Sequence, residues 1–259
     1  MKKLLSIALV FVMLFAVVPF SEASISVSAD VDTWDGKYTP FEYGSGTKDD
    51  PYLITTAAEF AYFAQSVNSG DSYAGKYIKL ETNIKLNNEI FTFDADTGLV
   101  EVTDGTHTAY LNTGVKGDAS GANTVFDSTA SQIGSLYASK DPNATGTYGG
   151  SIREWIYIGS SESNCFSGTF DGGNHYISGL YHPSVPIGYY PSSVALGGGL
   201  FGYTNNAIVK NVSVVNAYIG VEYTDTDSLR VGGIICSMTD GVVENCYFDS
   251  SVIAVSSEK

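Results

Sequence analysis

A repeat of 34 residues constrains the fold of this chain more than any other feature of its sequence. The segment from Gly198 to Val221 aligns without gaps on the segment from Gly232 to Val255. Both segments hold a glycine pair, a Val-x-Asn triplet and short runs of β-branched and aromatic residues broken by Gly, Asn and Asp. Such residues favour strands and turns, and helix formers do not recur at 3.6-residue spacing. The repeat therefore predicts a solenoid of stacked β-coils rather than a helical repeat of similar length.

The stacking predicts which residues lie above one another. In an all-β solenoid, each coil pairs with the next, so Asn211 and Asn245 are expected one strand spacing apart, about 4.8 Å, with their amides bonded to each other or to the turn backbone. One helix is predicted, because Thr56 and Glu59 form a capping box before an apolar face that stops at Gly70. An open coil end exposes strand edges, so this N-terminal helix is expected to cap it.

Changes in residue pattern along the chain divide it into five predicted segments. The insertion among them contains a hairpin, in which Ile90–Phe93 and Leu99–Val102 flank an Asp- and Gly-containing turn. The segments are a signal peptide (1–23), a leading segment (24–54), the capping helix and first strands (55–86), the insertion (87–153) and the coils (154–259), with repeats at 198–231 and 232–259, the last one incomplete.

The first residues have the order of a secretory signal peptide. Lys2 and Lys3 precede an apolar run that ends at Phe20, and small residues follow to Ala23, where we expect cleavage, with Ala29 as the alternative site. The sequence therefore predicts a secreted or cell-surface protein with no membrane span after signal removal.

The charge of the chain limits its partners. The sequence has 13 basic and 28 acidic residues, for a formal net charge of -15. Binding to nucleic acid depends on neutralising phosphates with Lys and Arg, so nucleic acid is excluded as an expected partner. Solubility of an exported protein explains the acidity better than a cationic ligand does.

Cysteine and histidine give no pattern of a metal or cofactor site. Three cysteines lie in apolar runs and are expected to be buried thiols, although a Cys236–Cys246 bridge is possible. The three histidines are scattered, and His175 and His182 are expected in turns or on the surface. We predict no metal and no cofactor. The remaining cysteine is Cys165, and the remaining histidine is His107.

Several motifs resemble those of the GLUG-motif proteins of bacterial cell surfaces. They are Trp155–Gly159, Phe166–Leu180, Gly199–Gly202 and Val209–Val212, and the leading stretch Gly44–Ile54 with its helix is similar to the start of those proteins. The resemblance implies a right-handed parallel β-helix of the pectin-lyase-like type, used as an extracellular stalk or as an adhesin-like or carbohydrate-contacting module. The chain departs from that pattern in its long insertion and at Cys236, where a small residue is usual.

An enzyme on the same scaffold is the alternative. A polysaccharide lyase or glycoside hydrolase needs facing carboxylates, or a cation-bound uronate and a base. Asp171 is the first candidate for a catalytic acid, although Asp171-Gly172-Gly173-Asn174 is also typical of a tight turn between coils, which we favour. No basic cluster accompanies it, so the sequence favours a non-catalytic module.

Tyrosines give the candidate ligand-binding residues. Tyr181, Tyr189 and Tyr190 cluster near prolines and serines, where exposed rings could stack on sugars. The other interpretation is that they cover the flank of a neighbouring coil. We therefore predict an exported, non-catalytic surface module, adhesin-like or contacting an extracellular glycan, with the lyase or hydrolase as the alternative.

Overall fold

The computed structural model describes residues 31–113, 150–183, 198–223 and 228–249, together with short strands within the remaining segments. The predicted signal peptide, Tyr189 and Tyr190 lie outside the described residues. Within the described part, no helix has the length and apolarity needed to cross a membrane.

The described chain is mainly β, with one α-helix and 19 strands. Many strands are short because glycine, asparagine and aspartate interrupt the β-branched runs. The elements are α1 (Ala57–Asn68), β1 (Tyr52–Ile54), β2 (Tyr77–Leu80), β3 (Ile84–Lys85), β4 (Ile90–Asp94), β5 (Leu99–Thr103), β6 (Thr108–Asn112), β7 (Val115–Lys116), β8 (Val125–Phe126), β9 (Leu136–Tyr137), β10 (Thr169–Ser178), β11 (Tyr181–His182), β12 (Pro186–Ile187), β13 (Val194–Leu196), β14 (Phe201–Val215), β15 (Tyr218–Tyr223), β16 (Ser228–Arg230), β17 (Ile235–Glu244), β18 (Tyr247–Asp249) and β19 (Val252–Ser257).

Seven strands form the largest sheet, and all of its pairings are parallel. Its strand order is β1-β2-β10-β14-β17, with β3 beside β10 and β18 beside β14. Two smaller sheets are also parallel, one built of β11, β12, β15 and β19 and the other of β13 and β16. Each strand of the second repeat therefore lies beside its counterpart in the first.

The register of these pairings follows the sequence repeat. Phe201 pairs with Ile235 and Val209 with Val243, while on the next sheet Tyr218 pairs with Val252. Every one of these pairs is 34 residues apart, so the alignment of the two repeats is confirmed.

The asparagine ladder predicted from the repeat is present and extends by one more residue. Asn245 Nδ2 donates to Asn211 Oδ1 at 3.1 Å, and Asn211 Nδ2 donates to Asp171 Oδ1 at 2.9 Å. Both asparagines have left-handed backbones, with φ of 51° and 54°. Asparagine adopts that region more readily than most residues, so each one turns the chain and bonds along the ladder.

Helix α1 packs into the same apolar core as the parallel strands. Thr56 and Glu59 form the predicted capping box, and Glu59 also accepts hydrogen bonds from both the backbone and the hydroxyl of Thr55. The inner face places Phe63 against Phe170, with ring centroids 5.8 Å apart and the planes nearly parallel. The helix therefore covers aromatic residues that the strands alone would leave open.

The insertion forms a separate antiparallel sheet. Strands β4 and β5 form the predicted hairpin, and β6 and β9 extend it. The Asn216 side chain fastens this sheet to the parallel strands, because Oδ1 accepts from Phe91 N at 3.0 Å and Nδ2 donates to Glu89 O at 2.7 Å. Phe91 also stacks on Tyr181, with centroids 6.0 Å apart. The insertion thus packs on the parallel strands through a second, smaller apolar core, to which Tyr181 and Tyr218 also belong.

Candidate functional site

A groove of about 230 Å³ lies along the side of α1 that carries Ala61, Ala64, Gln65 and Asn68. It is smaller than the ~300–1,000 Å³ typical of sites for drug-sized ligands, which suits a single sugar ring or one side chain of a ligand. Three parts of the chain that are distant in sequence meet here: the leading segment, the helix and the segment before β10. The lining residues are Trp34, Tyr38, Ala61, Ala64, Gln65, Asn68, Ser69, Glu154, Trp155 and Ile156.

The leading segment contributes two aromatic rings. Trp34 N donates to Lys85 O at 2.8 Å, which fastens this segment to β3, and Trp34 Nε1 donates to Lys37 O at 2.7 Å. The Trp34 ring meets Tyr38 edge to face, with centroids 6.0 Å apart. Trp34 is buried, whereas Tyr38 is 48% exposed. Tyr38 therefore presents an open ring at a position that Trp34 fixes.

Trp155 forms the floor of the groove. Its ring stacks on Phe60 of α1 at 5.1 Å and meets Trp34 edge to face at 6.0 Å. Trp155 is 2% exposed, and its Nε1 is buried with no hydrogen-bond partner among the described residues. An indole N–H usually finds a partner when it is buried, so Trp155 Nε1 departs from that rule.

Two amide side chains of α1 line the groove: the amide of Asn68 is hydrogen-bonded within the protein, and the amide of Gln65 lies at the rim. Asn68 Oδ1 accepts from Gly159 N at 2.8 Å and its Nδ2 donates to Tyr157 O at 3.0 Å, so Asn68 holds the neighbouring segment in place. Gln65 is exposed, as are Glu154 and Ile156 on the opposite side. The groove thus combines aromatic and aliphatic surfaces with an amide and a carboxylate. Rings stack on the apolar faces of sugars, and amides and carboxylates bond hydroxyls.

Asp171 lies in the parallel sheet, away from the residues that line the groove. Its Oδ1 accepts from Gly173 N at 3.0 Å and from Asn211, and Lys210 Nζ lies 3.4 Å from Oδ2. Burial raises the pKa of Asp171, but these hydrogen bonds and the Lys210 charge outweigh it and lower the pKa. A general acid needs a raised pKa, so these contacts fit a structural role in the ladder and do not favour the catalytic one. The expected tight turn between coils is instead an irregularity inside β10, where the register shifts between Asp171 and His175.

The tyrosine prediction requires a correction at Tyr181. Its side chain is 6% exposed and packs between Phe91 of the insertion and Tyr218 of β15. Burial raises the pKa of Tyr181 well above its usual value. Tyr181 therefore covers a neighbouring strand, which was the second interpretation, and offers no ring to a ligand. Tyr189 and Tyr190 lie outside the described residues.

The three cysteines are free thiols. Burial raises the pKa of Cys236 to about 12, so its thiol is protonated at physiological pH. Cys165 and Cys246 are half-buried. In the described ranges, no three residues of the His, Cys, Asp and Glu types come close enough together to hold a metal ion.

His182 was expected in a turn or on the surface, and it is instead buried. It is 8% exposed, and its Nδ1 lies 3.0 Å from Trp155 O, so Nδ1 carries the hydrogen of this bond. Burial lowers the pKa of His182 below its usual value, against the opposing effects of the Trp155 carbonyl and of Glu154. His182 is buried because its ring packs against Tyr157, with centroids 5.6 Å apart, and bonds the Trp155 carbonyl, and neither contact is local in sequence.

We expect His182 to make stability depend on pH. The unfolded chain binds a proton near pH 6.5 and the folded chain only at lower pH, so the free energy of unfolding falls as pH decreases through about 6.5. The slope has a limit of about 1.4 kcal/mol per pH unit. Urea unfolding between pH 5 and 7.5 measures this slope, and His182→Gln removes it while keeping a donor. An equal slope in the two proteins contradicts the assignment.

Sequence reasoning did not find the groove. The sequence does carry one signal for the groove, the rarity of tryptophan: the chain has two tryptophans, and both line the groove. They stand 121 residues apart, so no local motif joins them.

Comparison of the chain with protein-family models, with curated proteins and with solved structures gives no match. The resemblance to GLUG-motif proteins accordingly stays a prediction.

Proposed function

We propose that this protein is an exported, non-catalytic module of the cell exterior that contacts glycans through the groove beside α1. The observation that carries the proposal is the meeting of Trp34, Tyr38 and Trp155 with a rim amide and a rim carboxylate. The signal-peptide pattern of the first residues supports export. The protein is thus an adhesin-like surface module or a secreted one.

We further propose that the parallel sheets are the faces of a right-handed β-helix, with α1 capping its N-terminal end. Three parallel sheets whose strands alternate along the chain support this architecture. The offset of 34 residues recurs on each of them, in the pairs Tyr203 with Ser237, Ile219 with Ile253 and Ala195 with Leu229. A solenoid accounts for one offset on several faces, because each turn adds the same number of residues to every face.

Tyr38 is the side chain through which the groove can be tested. We expect Tyr38→Ala to weaken binding of the preferred glycan about three- to tenfold, which corresponds to the loss of one aromatic stacking contact. Tyr38 is half-exposed, so its removal leaves the core intact. A glycan array on the mature protein identifies the preferred sugar, and titration calorimetry on that sugar gives the affinities.

Tyr43→Ala is the matched control. Tyr43 is 51% exposed, stands five residues along the same segment and does not line the groove. Binding is expected to be unchanged in this variant. The proposal fails if no glycan binds the mature protein, or if the two variants lose affinity equally.

A further inference from the structure

The groove beside α1 carries one charge, and that charge is negative. Among the described residues that line it, Glu154 is the only charged one, and none is basic. The side chains of Gln65, Asn68 and Ser69 also line the groove and are neutral. The whole chain has a formal net charge of -15, so its field has the same sign as the groove. A cation is therefore attracted to this groove, and an anion is repelled from it.

The backbone on both sides of Glu154 is fixed by hydrogen bonds. The Asn87 side chain accepts from Arg153 N at 2.6 Å and donates to Arg153 O at 2.8 Å. On the other side, Trp155 N donates to Tyr181 O at 2.6 Å. Glu154 stands between these two held residues, so its backbone needs no ordering when a ligand binds.

The Glu154 carboxylate is left to pair with a cation from outside the protein. Within the part of the chain that the structure describes, no basic side chain forms an ion pair with it. The Lys37 ammonium pairs with Asp35, and the Arg153 side chain lies against Gly36. Neither Lys37 nor Arg153 lines the groove. Glu154 itself is exposed, so a ligand can reach it.

Tyr38 gives the groove a second feature that favours a cation. Its ring is 48% exposed and is held edge to face against Trp34, with centroids 6.0 Å apart. The face of an aromatic ring is negative, so it attracts an ammonium group, and it also stacks on the apolar face of a sugar. A sugar that carries an ammonium group uses both properties. A uronic acid would instead bring a second carboxylate towards Glu154.

We propose that the groove selects a protonated amino sugar, a hexosamine whose nitrogen is not acetylated, over neutral and acidic sugars. The ammonium group meets the Glu154 carboxylate, the sugar ring lies on Tyr38, and the Gln65 amide bonds a hydroxyl. This inference rests on the proposed function of the groove as a glycan site, and it names the class of glycan.

The test compares a trisaccharide of glucosamine with the same trisaccharide of N-acetylglucosamine, which differ only in the acetylation of nitrogen. Titration calorimetry at about pH 6, where the amine is protonated, gives both affinities for the mature protein. We expect the glucosamine trimer to bind about three- to tenfold more tightly. Glu154→Gln keeps the size of the side chain, and we expect it to reduce this preference about two- to fourfold.

Two controls separate the groove from the overall negative charge of the protein. Glu162→Gln removes an exposed carboxylate that does not line the groove, so the preference is expected to be unchanged. A trilysine peptide with blocked ends has as many ammonium groups as the glucosamine trimer but no sugar ring. We expect it to bind more weakly than the trimer, because it cannot stack on Tyr38 as a sugar does.

A reduced preference in Glu154→Gln alone, with binding of the N-acetylglucosamine trimer retained, supports the proposal. Equal binding of the two trimers, equal effects of the two variants, or binding of trilysine as tight as that of the glucosamine trimer overturns it. The choice of amino sugar alone is also wrong if neither trimer binds while Tyr38→Ala weakens binding of a sugar without an amine. The proposed function fails as well only if no glycan binds at all.

Discussion

Replacing Phe63 with alanine is expected to lower the free energy of unfolding by about 3–5 kcal/mol. Phe63 is fully buried, and its ring contacts those of Phe166 and Phe170 at 5.4 and 5.8 Å. The aromatic cluster joins α1 to the parallel strands, so the cavity would lie where helix and sheet meet. The stiff neighbouring rings cannot collapse into the space, which places the expected loss at the upper end of the range for core truncations.

Gln65→Ala on the same helix is the control for this prediction. Gln65 is exposed, and alanine is the best helix former, so we expect a change within about 0.5 kcal/mol. Urea unfolding followed by circular dichroism measures both variants. A loss below about 1.5 kcal/mol for Phe63→Ala would contradict the packing of α1 against the strands.

Replacing Gly159 with alanine is expected to lower the free energy of unfolding by about 3 kcal/mol or more. Gly159 has a φ of 89°, and an added Cβ would lie 2.3 Å from Tyr203 O of β14. The left-handed backbone alone costs an alanine about 1–2 kcal/mol. The clash adds about 1–3 kcal/mol, because the carbonyl belongs to a strand that cannot move independently of the sheet.

Gly75→Ala separates these two contributions. Gly75 has a φ of 71°, and an added Cβ would meet nothing within 4 Å. We expect it to show the backbone contribution alone, about 1–2 kcal/mol. Equal losses in the two variants would mean that Tyr203 does not approach Gly159 as closely as the structure shows.

Sequence reasoning predicted the parts of the fold that depend on residues close together in the sequence or on the repeat. The offset of the repeat gave the strand register, the Thr56 and Glu59 pair gave the start of α1, and Asp94 to Gly98 gave the hairpin turn. Each of these depends on spacing within one segment or between two similar segments. Backbone hydrogen bonding then leaves few alternatives.

The parts that the sequence did not predict depend on contacts between dissimilar segments. Tyr181 is buried because the inserted hairpin folds back over β11, and nothing within the tyrosine cluster indicates this. The groove depends on Trp34 and Trp155 meeting at α1, and their meeting follows from the packing of the whole core. Candidate residues chosen from local composition therefore differed from those that line the groove.

The one-by-one pairing of β10, β14 and β17 has a mechanical consequence. β14 is hydrogen-bonded to β10 on one side and to β17 on the other, and the rows of bonds lie one beyond another across the sheet. A force directed across the strands loads one row of hydrogen bonds at a time, whereas a force along the strands would shear several rows together. Under such tension we expect the sheet to open strand by strand, with β17 separating from β14 before β14 separates from β10.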